Sequence, residues 1–200
     1  AYTVKPEDMS SNIELQLQQK WKKVDQYKQN TTEEGYYQNM YKALSLHLRE
    51  NPHLTAMLSF IDCDPVVGYK ALNSAIRLKP IIKQEFGVDF LIANQTLKGI
   101  LEKNAKKFFL SSIPDVDIIG SLPSADGHHF VKHMDYVLRA AKDAKKRIHI
   151  HVDQLNDPTE RETEILARRI IKVGCEGMVT AVHGISIGCH KKIYRDSLYG

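Results

Sequence analysis

Cysteine is scarce in this 200-residue chain: Cys63, Cys175 and Cys189 are odd in number and none belongs to a CxxC pair. That argues against a disulfide framework and against a cysteine-rich zinc site, and it makes a reducing cytoplasm the simplest home. Long apolar runs are missing as well. No window approaches the roughly 20 apolar residues of a membrane span, and the first thirty residues are polar and contain acids, so neither an anchor nor a signal peptide is expected. No apolar run is followed by GxGxxG or GxxxxGK[ST], which argues against a nucleotide-binding sheet. Neither sign of charge dominates: 28 Lys and Arg stand against 24 Asp and Glu, a balance of +4. The basic clusters Lys22-Lys23, Lys106-Lys107, Lys145-Lys146-Arg147 and Lys191-Lys192 are far apart and read as solvated helix faces, so nucleic acid is not an expected partner.

What is present is a 42% apolar chain, enough for one domain with a substantial core. Ile13, Leu17, Trp21, Val24 and Tyr27 recur at helical spacing behind Ser10-Ser11, which can cap free N–H groups. Thr31 and Glu34 then have the spacing of a capping box, ahead of a second stripe of Tyr37, Met40, Tyr41, Leu44 and Leu48. After these two helices the pattern changes. Short apolar runs beginning at Thr55, Val88, Val116, Arg147 and Gly177 alternate with longer helical segments, close to the ~30-residue rhythm of a βαβ unit. Such runs predict parallel strands covered on both faces. Asp64-Pro65 and Asp157-Pro158 are read as helix starts, Gly174 as a left-handed helix end, and Pro80 as a kink or break in a long helix.

Each predicted strand turns polar at its C-terminal end: Asp62 and Asp64; Asn94 and Gln95; Ser121 and Ser124; His151, Asp153 and Gln154; His183 and Ser186. In parallel α/β folds that end carries the ligand site. Any one of these residues taken alone reads as the start of a loop; five strand ends together, two of them with histidine, point to a site. Strand alternation puts His149, His151 and Asp153 in one direction, where they need one another, water or an ion to offset burial. His-x-His by itself is a weak metal signal, and Cys63 reads as a small buried filler. Five strands in about 150 residues are short of a closed eightfold barrel, which takes about 250.

The words "FIDCDPVVGYKAL", "NQTLKGIL", "DIIGSLPSADG", "HIHVDQLNDPTERETEILARRI" and "GMVTAVHGISIG" resemble, in order and spacing, the cytosine deaminase-like branch of the amidohydrolase superfamily. The resemblance implies an α/β chain of TIM-barrel (β/α)8 type, incomplete: a single partial domain over 1–200, with 1–52 a helical insertion after a missing first strand and 53–200 carrying strands two to six. It also implies a divalent metal, zinc or iron, in the complete protein, with none necessarily bound by this piece, and hydrolysis of C–N bonds in a small cyclic substrate by a metal-activated water. By resemblance His151 is a metal ligand, His183 lies close to the reacting carbon and the metal-bound water, and Gln95 hydrogen-bonds the substrate ring.

Three departures stand out. The family's first-strand HxH should precede Ala1, and its eighth-strand aspartate should lie beyond Gly200. Gln154 holds the place of a proton-shuttling glutamate; an amide cannot carry that proton, so Gln154 is expected to bind substrate, with Asp153 as a candidate for the acid–base work. A homo-oligomer is expected, because a partial barrel leaves edge strands and apolar faces open. The competing expectation is a catalytically inactive α/β module that binds a ligand or partner through the same face.

Overall fold

A computed structural model describes residues 17–155 and 157–198 and divides the chain into two units, Ala1–Ile92 and Ala93–Gly200. The capping pair Ser10-Ser11 and Ile13 lie outside the described residues.

The first unit opens with α1 (Leu17–Asn30) and α2 (Glu33–Glu50), followed by β1 (Ala56–Asp62), α3 (Lys70–Phe86) and the start of β2 (Asp89–Gln95), which pairs with β1. The cap of α2 is Thr32, whose hydroxyl accepts the Gly35 N–H at 3.1 Å, one residue later than the expected Thr31. Thr31 instead donates to the Tyr27 carbonyl at the end of α1. The buried stripe keeps Met40, Leu44 and Leu48 but takes Tyr36 in place of Tyr37 and Tyr41, which are only half-buried. Among the described side chains of α1, Tyr27 is exposed and Lys28 is buried, its ammonium meeting the Asp62 carboxylate at 2.6 Å.

Asp64 accepts the N–H groups of Val66 and Val67, closing a turn that is bridged again by Asp64 and Gly68. The helix starts only at Lys70, so the Asp-Pro pair makes a turn and not a first helical turn. Pro80 neither ends nor interrupts α3, which runs on to Phe86 and stops at left-handed Gly87.

The second unit contains the end of β2, α4 (Lys103–Ser112), β3 (Ile119–Ser121), α5 (Phe130–Ala144), β4 (Ile148–Val152), α6 (Glu162–Val173), β5 (Val179–His183), and the short α7 (Ile185–Cys189) and α8 (Lys192–Ser197). β3, β4 and β5 form a parallel sheet in that order, the right solution for strands joined by helices. Ile119, Ile148, Ile150, Val152, Met134, Val137 and Leu138 make the core between sheet and helix, all 0% exposed. Gly174 ends α6 as expected: at φ 71° its N–H reaches the carbonyls of Ile170 and Ile171, a conformation that a side chain would oppose. Among the described residues the sheets are open, and no helix is long and apolar enough to cross a membrane.

Candidate active site at the ends of β4 and β5

Register decides which polar strand-end residues can act together. Residues paired across parallel strands share a face, and Ile119 and Ser121 pair with Ile148 and Ile150. Ser121 is therefore on the face opposite His149 and His151. There it meets α5: the imidazole of His133 lies 2.8 Å from the Ser121 hydroxyl at Nε2 and 2.5 Å from Asp126 at Nδ1. Asp126 also accepts the N–H groups of Ile100 and Leu101, so it ties the loop after β2 to the turn after β3. Any Cβ at Gly99, itself at φ 76°, would collide with that carboxylate. Burial would raise the Asp126 carboxyl, but the hydrogen bonds from His133, Ile100 and Leu101 outweigh it and hold the group below its ordinary value. Asn94 is also structural, donating to the Ser112 hydroxyl and accepting the Gly120 N–H. Asp126 and His133 had no sequence signal: they face each other across a turn whose Gly127 is non-helical, which no periodicity reveals.

The other face carries the histidines. β4 and β5 pair so that His151 is opposite Val182 and Val152 opposite His183. Nδ1 of His151 and Nε2 of His183 are 2.9 Å apart, with ring centroids at 5.0 Å and planes inclined by 44°. Two residues one register step apart meet because the chain leaves β5 in an unusual way: His183 is at φ 86°, in the left-handed region, followed by Gly184 at φ 85°. Burial, then the charges of His183 and His149, push His151 down to about 4, so its ring is neutral at pH 7. His149 is also lowered, by burial and then by Arg147.

Asp153 does not continue the alternation of β4. The strand ends at Val152, Asp153 turns to φ 51°, and its two carboxylate oxygens accept the N–H groups of Glu162 and Thr163 at 2.9 and 3.0 Å. Glu162 returns the bond, accepting the Asp153 N–H at 3.0 Å. This reciprocal pair does for α6 what a capping box does for other helices. The expected start at Asp157-Pro158 is a separate turn, in which Asp157 accepts from Thr159. Gln154 is half-buried, its amide 3.5 Å from the Ser124 hydroxyl, and Gln95 is half-buried at the end of β2. Of the five residues expected at the site, the structure brings His151 and His183 together, commits Asp153 to the start of α6, sets Gln154 against Ser124, and leaves Gln95 at its own strand end.

No family model matches the chain. An uncharacterized protein of Haemophilus influenzae is 38% identical over 202 residues, covering 100% of this chain and 72% of that protein. The chain belongs to that protein's family. Its fold is similar to part of two solved enzymes, a deaminase and an aminohydrolase. The 5-methylcytosine deaminase of Klebsiella pneumoniae, liganded with phosphonocytosine, superposes with a TM-score of 0.80 at 21% identity, over 92% of this chain and 44% of the deaminase. The N-isopropylammelide isopropylaminohydrolase of Burkholderia multivorans gives a TM-score of 0.62 at 20% identity, over 74% of this chain and 38% of that enzyme. The chain therefore spans less than half the length of these structures, and the open sheets fit an incomplete barrel.

Proposed function

We propose that the polypeptide containing these residues is a metal-dependent amidohydrolase that hydrolyses a C–N bond of a small, cyclic, nitrogenous substrate. The observation that carries this reading is the meeting of His151 and His183 at adjacent strand ends, in a fold shared with a deaminase and an aminohydrolase. A divalent metal, zinc or iron, bound at such a site supplies a water acidic enough to give hydroxide near neutrality. The donor set fits in part: the two imidazoles are suitable ligands, but no group of three or more His, Cys, Asp or Glu able to hold an ion occurs among the described residues.

The histidine contact constrains the tautomers. For His151 to offer a lone pair at Nε2, its proton must be on Nδ1 and donated to His183 Nε2, which leaves the His183 proton on Nδ1. His183 thereby orients His151 and keeps an N–H to present to a substrate. Gln95 and Gln154 offer amides to a ring carbonyl or nitrogen. Asp153 acts by position, holding α6 and the β4 end in place.

The second reading is a ligand-binding module without turnover, favoured by Gln154 at a place where proton transfer needs an acid. One experiment separates the two. The full-length polypeptide is purified, its metal content measured, and release of ammonia or amine followed with cytosine, 5-methylcytosine and N-isopropylammelide. Turnover that chelation abolishes supports the hydrolase; folded, metal-free protein without turnover refutes it.

A further inference from the structure

Ser186, like Thr96 just after β2, is a buried polar residue whose hydroxyl neither the fold nor the histidine pair uses. Ser186 is 0% exposed, and among the described residues its hydroxyl oxygen has no hydrogen-bond partner. Natural cores seldom leave such a group unsatisfied, because alanine would fill nearly the same space without the desolvation cost. Its place in the fold is well fixed. The N–H groups of Ile185 and Ser186 approach the Asp153 carbonyl at 2.8 and 3.4 Å, and His183, three residues earlier, pairs with Val152. Ser186 thus belongs to the corner formed by the end of β4 and the exit from β5, where His151 and His183 meet.

We infer that Ser186 is a further ligand-contacting residue of this corner, its hydroxyl donating to a ring carbonyl or ring nitrogen of a small heterocycle. The inference rests on the amidohydrolase reading and deepens it. A hydroxyl suits the task because it rotates to donate or accept and carries no charge. The unpartnered hydroxyl of Thr163 supplies a control within the same unit. Thr163 is in the first turn of α6, where its N–H is bound by the Asp153 carboxylate, so it belongs to the helix clamp.

The test uses the full-length polypeptide with Ser186→Ala and, separately, Thr163→Val. Thermal unfolding is measured without ligand, and binding of cytosine by calorimetry. Ser186→Ala should melt about 2 °C higher than the parent, because an unsatisfied hydroxyl is gone, and should bind cytosine about tenfold more weakly. Thr163→Val should bind cytosine like the parent. A lower melting temperature for Ser186→Ala shows that the hydroxyl is already satisfied and overturns the inference; so does equal binding by Ser186→Ala and the parent, which leaves the amidohydrolase reading intact. A parent that binds none of the three ring compounds named above removes that reading and this inference with it.

Discussion

The backbone at His183 is the sharpest test of how the histidine corner is built. A non-glycine residue at φ 86° is in a region where Cβ crowds the neighbouring carbonyl, at a cost of about 1–2 kcal/mol. The conformation persists because both sides are pinned: His183 pairs with Val152, the Gly184 N–H reaches the Val152 carbonyl at 3.3 Å, and the Ile185 N–H reaches that of Asp153 at 2.8 Å. Now compare two truncations. His183→Ala removes the imidazole and keeps the Cβ, so it keeps the strain. His183→Gly removes the strain as well, at a cost of about 0.5–1 kcal/mol in unfolded-chain entropy. The balance favours glycine over alanine by roughly 0.5–1 kcal/mol, which for a chain of this size is about 2 °C in melting temperature.

Thr180, exposed in the middle of the same strand and without positive φ, supplies the control. There alanine should be more stable than glycine by about the same margin. Thermal or urea unfolding of the four variants decides the matter. The same order at both positions would refute the claim that strain is stored at His183. The predicted reversal, together with loss of ligand binding in both His183 variants, would show a residue kept against its backbone preference for the imidazole it carries.

Other perturbations follow from the same geometry. Lys28 and Asp62 form an ion pair whose side chains are 2% and 17% exposed, and burial raises the Asp62 carboxyl even though Lys28 acts to lower it. Replacing Asp62 by Ala should cost about 3 kcal/mol in urea unfolding, whereas Lys28→Met with Asp62→Leu should come within about 1 kcal/mol of the parent; equal losses would show that the pair itself is what stabilises. Asp153→Ala should cost about 2 kcal/mol, one for each N–H it strands, and Asp153→Asn about half of that; an unchanged melting temperature for both would count against the clamp. Asp126 is held below its unfolded value, so its contribution is complete above about pH 4 and is lost as pH falls through the lower folded value. Asp126→Asn should therefore flatten the acid limb of the melting temperature against pH; an unaltered limb would place the acid sensitivity elsewhere.

Much of this architecture was legible in the residues. The apolar runs at Thr55, Val88, Val116, Arg147 and Gly177 each contain a strand, and Gly174 ends its helix as read. The misreadings share a cause. Asp64-Pro65 and Asp157-Pro158 carry the local chemistry of a helix start, but the same chemistry closes a turn, and only the path of the chain afterwards chooses between them. The cap that α6 uses comes from Asp153, nine residues before Glu162, and is invisible to any spacing rule. Pro80 was expected to disturb α3, yet the helix continues to Phe86.

The strand-end residues carry a more general consequence. Polar ends looked like one set in the sequence, but the register of β3 with β4 divides them: Ser121 goes to the helix side with His133, and His151 goes to the other. The first kind holds loops, the second brings the imidazoles together, and a one-residue difference in strand position decides which. Asp153 escapes the rule because the strand has already ended. Both its oxygens are occupied by N–H groups of α6, so accepting a proton would weaken the attachment of that helix. Gln154 cannot carry a proton at all. Under the hydrolase reading, proton transfer at this corner therefore falls to the imidazoles of His151 and His183, whose contact holds no helix in place, and not to Asp153 beside them.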